Sequence, residues 1–327
     1  MRMIEKLPLV SVVLPVYNRP SVANTINSVL SQTYTNFELL IIDNASTDNT
    51  ADVIREISDQ RIRLIINEEN KGQTYSINRG LELSKGKYIA RIDADDLMAP
   101  ERLEKQVKFM EENPDYGLVG CWVQYITLDD KKAFVVRMPV TDKSMRVMQT
   151  IACGMFHPAA MMRKSVLDEN NITYASDIVM AEDYDMWRKI MAYSKALNLS
   201  EVLTYYRKGD NDSVRHADIM QRECHYVRNL VCEAELKGTP YYQRMKDIIE
   251  IEDKPKKTIR ESLLLWKFYN QYIDDNLQPK TLEHDILRTH IRLKVYSDIA
   301  AGNKAWYGKT LDNVYHGLRK LRYFVGR

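Results

Sequence analysis

Hydrophobic and polar positions alternate in the first third of the chain in a pattern that predicts strands and helices in turn. Continuous apolar runs occur in LVSVVLPV, ELLIID, RIRLII and KYIARID. The segments between them have helical periodicity over residues 21–32, 48–58 and 73–84. Apolar strands that alternate with helices are typical of a parallel sheet covered by helices on both faces. The pattern therefore predicts an α/β fold.

The alternation changes after Pro100. A helix is expected through Asn113, followed by the strand-like runs GLVGCWVQYIT and AFVVRMP, which the turn-forming Asp129 and Asp130 join as an antiparallel pair. A mixed region follows, with FHPAAMM, a helix in DYDMWRKIMAY and a strand in LNLSEVLTYY. We therefore expect a mixed sheet flanked by helices.

From Ala217 onward only helical periodicity remains, with breaks at residues 238–240, at Pro255 and at Pro279. These breaks predict about four or five helices. We place a domain boundary near His216, which gives an α/β domain over residues 1–216 and an α-helical C-terminal domain over residues 217–327.

The charge balance and the cysteine pattern indicate which partners and which cellular compartment to expect. Lys and Arg number 47 against 45 Asp and Glu, so no chain-wide attraction to nucleic acid is expected. The four cysteines have no CxxC spacing and lie in apolar stretches, which indicates reduced, buried thiols in the cytoplasm: Cys121, Cys153, Cys224 and Cys232. No apolar run approaches the ~20 residues that span a bilayer.

The C-terminal segment combines basic and aromatic residues. Arg319, Lys320 and Arg322 lie near Tyr323 and Phe324, a composition that suits anionic headgroups at a membrane surface. The alternative is a solvated last helix with a packed apolar face. Peripheral contact with the inner face of the cell membrane is therefore one hypothesis for this segment.

Three carboxylates follow the strand KYIA in the sequence RIDADD. Ligand sites of open α/β sheets lie at the carboxyl ends of strands. Side chains alternate along an extended chain, so Asp93 and Asp95 point the same way and can face a divalent cation such as Mn²⁺ or Mg²⁺. Such a cation usually bridges protein oxygens to substrate phosphates, which predicts a diphosphate ligand. The alternative is a solvated acidic turn that caps the next helix.

Two further acidic segments have a similar character. Asp43 ends the strand ELLIID, where a carboxylate can accept a hydrogen bond from a base or sugar, whereas Asp48 is interpreted as a helix cap. Glu182 and Asp183 begin a helix, and adjacent carboxylates suit a general base that takes a proton from a hydroxyl. Favourable charge at a helix N-terminus is the structural alternative for this pair.

Two other segments contain candidate contacts. In CGMFHPAAMM, Gly154 allows close approach of a substrate to the backbone, and His157 faces either the site or the core. The polar loop YYRKGDNDSVRH offers Arg207, Arg215 and His216 for phosphate or metal binding, with an ordinary surface loop as the alternative.

Taken in order, these segments resemble the GT-A glycosyltransferases of the inverting family 2 over about residues 8–216. The resemblance rests on VSVVLPVYNRP, FELLIIDNASTDNT, NKGQTYSINRGLELSKGKYIARIDADD, CGMFHPAAMM and AEDYDMW. It implies a catalytic domain over residues 1–216 that uses a nucleotide-sugar donor, with UDP as the expected nucleotide. The QxxRW-like segment of processive polysaccharide synthases is absent from this sequence.

The resemblance also implies roles for single residues. Pro15, Tyr17 and Asp43 would cradle the nucleotide base, and Arg79 would lie near the diphosphate or ribose. Asp93 would contact the ribose and the metal's water shell, Asp95 would bind the metal, and His216 would complete the metal site. Asp183 would be the catalytic base, while Gly154, His157 and Glu182 would contact the acceptor or the sugar.

By the same resemblance, the expected reaction is a single displacement with inversion, and the expected acceptor is a glycan or lipid-linked glycan of the bacterial surface. The helical C-terminal domain would serve acceptor binding, membrane contact or self-association as a homo-oligomer. Two other functions remain open. A sugar-nucleotide pyrophosphorylase would share the sheet and metal, although PVYNRPS lacks that class's glycine-rich basic loop, and a carbohydrate-binding module without activity would share only the fold.

Overall fold

The computed structural model describes residues 7–207, 217–252, 254, 259–279 and 281–301. Arg215, His216, Pro255 and the basic and aromatic segment 304–327 lie outside the described residues. The chain divides into two compact units between Val227 and Arg228. The helical periodicity that starts at Ala217 therefore begins before this division.

Four parallel strands form the first part of the sheet, as the sequence predicted. Their order is β3-β2-β1-β4, and every pairing among them is parallel. The strands are β1 (Val10–Val16), β2 (Phe37–Asp43), β3 (Ile62–Ile66) and β4 (Tyr88–Arg91), with helices α1 (Val22–Leu30), α2 (Thr50–Arg55) and α3 (Gln73–Leu83) between them.

The sheet continues from β4 with a change of direction. Strand β8 pairs antiparallel with β4 and with β6, β9 runs parallel to β6, and β5 closes the edge antiparallel to β9. Strand β7 pairs antiparallel with β6, which confirms the predicted hairpin. The bounds are β5 (Leu97–Met98), α4 (Arg102–Glu112), β6 (Tyr116–Ile126), β7 (Lys132–Val136), α5 (Asp142–Gln149), β8 (Met161–Arg163), α6 (Lys164–Glu169), α7 (Glu182–Met191) and β9 (Lys195–Arg207).

Apolar residues fill both faces of this sheet, which is why its central strands are continuously hydrophobic. On one face Leu39 and Ile41 pack in a cluster with Ile26 of α1 and Val107 of α4. On the other, Leu40 and Ile42 belong to a cluster that includes Ile77 of α3 and Trp187 of α7. Helices thus cover both faces of a mixed sheet, and the predicted fold class is confirmed.

The strand register fixes which loops meet at the sheet's edge. Val16 pairs with Asp43, and Val13 pairs with Arg91, so β1, β2 and β4 end close together. The segments that follow these strands begin with Tyr17, Asn44 and Ile92. Three of the predicted site segments are therefore neighbours at one rim.

Helices make up the second unit in the part of the chain that the structure describes. They are α8 (Ala217–Leu236), whose first turns belong to the first unit, then α9 (Tyr242–Glu252), α10 (Ile259–Asn276) and α11 (Leu282–Ala301). Arg228 forms a buried ion pair with Glu252, which also accepts a hydrogen bond of 2.7 Å from Tyr269. No helix among the described residues is long and apolar enough to cross a membrane.

We expected all four cysteines to be buried, and two of them are not. Cys121 and Cys232 are buried, whereas Cys153 and Cys224 are partly exposed. The prediction that all four lie in the core is therefore wrong for two of them. Apolar neighbours in the sequence do not decide whether a thiol faces inward on a helix, as at Cys224, or in a loop, as at Cys153.

A close backbone approach at Gly86 generates the first prediction. A Cβ at this position would lie 2.5 Å from the backbone nitrogen of Ser11 and 2.7 Å from the carbonyl oxygen of Tyr88. Gly86→Ala should therefore lower the free energy of unfolding by about 1–3 kcal/mol, measured by urea denaturation. Lys85→Ala is the matched control, because that side chain is exposed. Equal stability of the two variants would contradict this account.

Candidate active site

Asp43 lies at the end of β2 with only 1% of its surface exposed. Its Oδ1 accepts hydrogen bonds from the backbone N–H of Ser46 at 2.9 Å and from the Ser46 hydroxyl at 2.6 Å. Its Oδ2 is buried and has no hydrogen-bond partner. A buried carboxylate oxygen without a donor is unfavourable. This oxygen is therefore ready to accept a hydrogen bond from a ligand N–H.

The surroundings of Asp43 include the other residues predicted to bind a nucleotide. Pro15 is buried in β1 and pairs with Ile42, and Tyr17 follows β1 with 45% of its surface exposed. Arg79 on α3 donates to the side-chain oxygen of Asn67 at 2.5 Å, and the Asn67 N–H donates to the Asp43 carbonyl at 2.8 Å. The structure thus places these residues along the ends of β1, β2 and β3.

The loops at this rim have a fixed shape. Asn18 and Ala45 adopt left-handed backbone conformations, with φ of 44° and 61°. The side chain of Asn18 accepts a hydrogen bond of 2.8 Å from the N–H of Thr47, which joins the two loops. Asp48 accepts a hydrogen bond of 2.9 Å from the N–H of Thr50, the first residue of α2. Asp48 is thus a structural residue, as the sequence indicated.

Asp93 and Asp95 follow β4 and are partly exposed. Asp93 Oδ1 accepts a hydrogen bond of 2.7 Å from Arg91, and Asp95 Oδ2 lies 3.5 Å from the guanidinium of Arg19. Burial raises the pKa of Asp95, and the negative charge of Asp93 raises it further. The two carboxylates are therefore close enough to repel each other.

Asp96 is more deeply buried than its neighbours. Its Oδ1 accepts a hydrogen bond of 2.7 Å from the N–H of Arg207, and its Oδ2 has no partner. Burial raises the pKa of Asp96 well above its ordinary value, with further contributions from the charges of Asp93 and Asp95. Asp96, the third carboxylate of RIDADD, thus joins its loop to the end of β9.

The carboxylates of Asp93 and Asp95 are candidate ligands of a divalent cation. Among the described residues, no group of three or more His, Cys, Asp or Glu side chains forms a complete metal site. The donor chemistry nevertheless fits, because carboxylate oxygens are the ligands that Mg²⁺ and Mn²⁺ prefer and a cation would relieve the repulsion at Asp95. The remaining ligands would come from a bound diphosphate, from water or from His216, which lies outside the described residues.

Glu182 and Asp183 begin α7. Asp183 Oδ1 accepts a hydrogen bond of 2.6 Å from the N–H of Tyr184, and its Oδ2 lies 3.8 Å from the sulfur of Cys153. Burial raises the pKa of Asp183, and burial together with the charge of Asp183 raises the pKa of Glu182 further. The two adjacent carboxyl groups therefore both resist ionisation.

His157 contacts this pair from a buried position. Its Nδ1 lies 3.7 Å from Glu182 Oε1, and its Nε2 is 2.9 Å from the hydroxyl of Tyr174. Burial lowers the pKa of His157 well below its ordinary value, so the imidazole is neutral. Of the two positions left open by the sequence, His157 thus occupies the core and touches the site through Glu182.

The close approach expected at Gly154 is made to a different neighbour. A Cβ at this position would lie 3.2 Å from the side chain of Met145 on α5, and the Gly154 carbonyl accepts a hydrogen bond of 3.1 Å from Asn198. Gly154 therefore packs closely against α5, and a side chain here would require the flexible end of Met145 to shift. A sugar contact at Gly154 stays a prediction.

Arg207 makes several contacts within the protein. Its Nε donates to the carbonyl of Asp95 at 2.9 Å, and its Nη1 donates to the carbonyls of Thr127 and Leu128 at 3.0 and 3.1 Å. Its Nη2 pairs with Asp130 at 2.6 Å. These contacts fasten the β6–β7 turn to the loop of Asp95. Arg207, which the sequence offered for phosphate binding, is thus already held by contacts within the protein. Arg215 lies outside the described residues.

Arg91 is a site residue that the sequence prediction missed. Its side chain is 1% exposed and pairs with Asp93. Its positive charge also lowers the pKa values of Asp96, Glu182 and Asp183, so it acts on both the RIDADD loop and the start of α7. The signal was present in the sequence, because a charged residue inside an apolar strand is rarely buried without an acidic partner.

Similarity to known proteins identifies the family of this chain. The family described as Glycosyl transferase family 2 matches residues 11–170. A relative from Escherichia coli, the UDP-Glc:alpha-D-GlcNAc-diphosphoundecaprenol beta-1,3-glucosyltransferase WfaP, is 34% identical over 206 residues, which cover 62% of this chain and 78% of the relative. The chain belongs to glycosyl transferase family 2 and is a glycosyltransferase.

Solved structures show the same fold. Residues 1–349 of S. aureus TarS in complex with UDP-GlcNAc align with a TM-score of 0.57 at 18% identity, covering 91% of this chain and 92% of that one. The match covers 54% of the longer TarS chain. The mannosyltransferase PcManGT from Pyrobaculum calidifontis, in complex with GDP-Man and Mn²⁺, aligns with a TM-score of 0.56 at 17% identity, covering 97% and 88% of the two chains. The fold is therefore GT-A.

The position of Arg91 leads to the second prediction. Arg91→Met should lower the free energy of unfolding by about 3–5 kcal/mol, because it leaves buried carboxylates without their cation. Without Arg91 the pKa values of Asp96, Glu182 and Asp183 rise further in the folded protein. A carboxyl group whose pKa is raised in the folded protein destabilises that protein more as pH rises. The loss of unfolding free energy caused by Arg91→Met should therefore be smaller at about pH 5 than at about pH 8.

The control for Arg91 is Arg55→Met, which removes an exposed ion pair with Asp52. Exposed pairs contribute ~1 kcal/mol or less, so this variant should unfold almost like the parent protein. Urea denaturation at both pH values gives the comparison. If Arg91→Met did not lower the free energy of unfolding, or lowered it equally at both pH values, Arg91 would not compensate the charge of the buried carboxylates.

Proposed function

We propose that this glycosyltransferase moves a sugar from a nucleotide-sugar donor, with UDP as the nucleotide, to an acceptor hydroxyl with inversion at the anomeric carbon. The observation that supports this most directly is the coupling of carboxylates at one rim. The charge of Asp93 adds to burial in raising the pKa values of both Asp95 and Asp183. The carboxylates predicted to bind the nucleotide sugar therefore lie near the predicted base. Asp43 lies at the same rim, at the end of β2.

Donor binding begins at Asp43 in this proposal. Its unpartnered Oδ2 accepts a hydrogen bond from an N–H of the base, while the Ser46 contacts keep Oδ1 occupied. Pro15 and the exposed ring of Tyr17 flank the base. Arg79 and Asp93 contact the diphosphate and ribose. Because the buried Asp43 Oδ2 can only accept a hydrogen bond, it favours a nucleotide base with a ring N–H, such as uracil.

Asp95 and Asp93 would hold Mn²⁺ or Mg²⁺, and His216 is a candidate further ligand. When bound, the cation would neutralise charge that develops on the departing diphosphate. The GT-A structure of PcManGT in complex with GDP-Man and Mn²⁺ supports this choice of ion. Arg207 positions the carbonyl of Asp95 and so helps to shape the loop.

Asp183 is the general base. Its carboxylate takes the proton from the acceptor hydroxyl as that oxygen forms a bond to the anomeric carbon. The bond between this carbon and the diphosphate oxygen breaks on the opposite side, and its electron pair leaves with the nucleoside diphosphate. Burial and the charge of Asp183 raise the pKa of Glu182, and its protonated carboxyl group donates a hydrogen bond to a sugar oxygen. His157 contacts Glu182 from the core, and a sugar contact at Gly154 stays a prediction.

The acceptor is proposed to be a glycan or a lipid-linked glycan in bacterial surface polysaccharide synthesis. The similarity to WfaP, whose name specifies a diphosphoundecaprenol-linked sugar, supports this class. Such an acceptor lies at the inner face of the cell membrane, so we place the protein in the cytoplasm with peripheral membrane contact. Residues 217–327 would supply acceptor, membrane or self-association contacts.

A third prediction tests the donor end of the site. Asp95→Ala should abolish transfer in a panel of nucleotide sugars assayed with Mn²⁺, because the diphosphate loses the ion that neutralises it. Release of nucleoside diphosphate is the measurement. Release of pyrophosphate would support the pyrophosphorylase alternative, and no turnover of any donor by the parent protein would support a binding module. Wild-type rates for Asp95→Ala at saturating metal would contradict the metal assignment.

A fourth prediction concerns the base. Asp183→Asn should reduce kcat by ~10² to 10⁴-fold and leave donor affinity unchanged, because the base acts on the acceptor. Burial raises the pKa of Asp183 to about 6. The base must be ionised, so kcat of the parent protein should fall as pH decreases through this value. Equal losses of rate and donor affinity, measured by kinetics and calorimetry, would indicate a structural role instead.

A further inference from the structure

A carboxylate outside the family's matched residues binds the segment that leads into α7. Glu223 lies on α8, in the part of that helix that belongs to the first compact unit. Its Oε2 accepts hydrogen bonds from the backbone N–H groups of Val179 at 3.1 Å, Met180 at 2.7 Å and Ala181 at 3.2 Å. A single carboxylate oxygen thus accepts hydrogen bonds from three consecutive backbone N–H groups.

These amides directly precede the two carboxylates at the start of α7. Ala181 is the N-cap residue of α7 and provides no side-chain hydrogen bond. Backbone N–H groups at the start of a helix lack acceptors within the helix. Glu223 supplies an acceptor from a different helix, and hydrogen bonds to a charged group are stronger than those between neutral groups. The entry to α7 is therefore fixed by a residue more than forty positions away.

The rest of α7 is anchored independently of Glu223. Met186 and Trp187 are completely buried, and the Tyr184 hydroxyl donates a hydrogen bond to the carbonyl of Gln149. Val179, in contrast, is 54% exposed, so water can reach this part of the segment. Loss of Glu223 should consequently leave the helix folded and release only the segment that leads to Asp183.

We propose that Glu223 is a positioning residue, which holds the 179–181 segment so that Asp183 lies within reach of the acceptor hydroxyl. The inference rests on the proposed role of Asp183 as the base. Base catalysis requires a heavy-atom distance of ~2.6–3.2 Å, and a misplacement of ~1 Å can reduce the rate ~10²-fold. Glu223 therefore supports the candidate active site, although α8 follows the sheet in the sequence.

The experiment compares Glu223→Ala with Glu223→Gln in the full chain. Glutamine keeps an oxygen that can accept the amide hydrogen bonds, whereas alanine removes it. Asp218→Ala is the matched control, because Asp218 is an exposed carboxylate on the same helix. Each variant is assayed for kcat, for the donor KM and for amide hydrogen exchange of residues 179–181.

Glu223→Ala should lower kcat ~10-fold or more, with the donor KM within ~2-fold and the thermal unfolding midpoint nearly unchanged. Exchange at residues 179–181 should become faster. Glu223→Gln should restore most of the rate and the protection, and Asp218→Ala should match the parent protein.

The results separate this inference from the assignment of the base. Unchanged kcat in Glu223→Ala would overturn the positioning role, and so would losses shared equally by alanine and glutamine together with a lowered unfolding midpoint. An active Asp183→Asn enzyme would overturn the base instead. Faster amide exchange in Glu223→Ala with no kinetic effect would show that the contact exists but does not position the base.

Discussion

Repulsion between carboxylates at one sheet edge is the constraint on which the whole site depends. Asp93, Asp95 and Asp96 follow one strand, and Glu182 and Asp183 approach from α7. The buried guanidinium of Arg91 offsets part of this repulsion, as its effect on the pKa values of Asp96, Glu182 and Asp183 shows. The remaining negative charge suits a divalent cation, which the proposed function assigns to this rim.

Different surroundings give these chemically similar carboxylates different tasks. Asp43 has one oxygen bound by Ser46 and one left without a donor, which suits recognition of a base. Asp95 is partly exposed, and burial and the charge of Asp93 raise its pKa, a cost that a bound cation would relieve. Asp183 has a raised pKa and lies at a helix start that Glu223 holds in place, which suits transfer of a proton. The sheet brings these groups to one rim without making them equivalent.

The sequence predicted the features that depend on local pattern. The apolar runs of β1 to β4 revealed the parallel strands, and the two aspartates at 129 and 130 revealed the β6–β7 hairpin. The pattern could not reveal that β8 enters antiparallel beside β4, because three residues carry too little periodicity. The contacts of Arg207 and Glu223 were equally hidden, since each joins segments far apart in the chain. Arg91 stands in the sequence as a charged residue inside an apolar strand, but its effect on Asp96, Glu182 and Asp183 depends on the folded structure.

The stereochemistry of the product tests the central claim most directly. A single displacement by an acceptor oxygen that Asp183 deprotonates must invert the anomeric carbon. Proton NMR of the product formed from an α-linked nucleotide sugar gives the configuration from the coupling of the anomeric proton. A β-linked product, formed together with nucleoside diphosphate, is the predicted result. An α-linked product would contradict the account, because retention requires a different arrangement of catalytic groups.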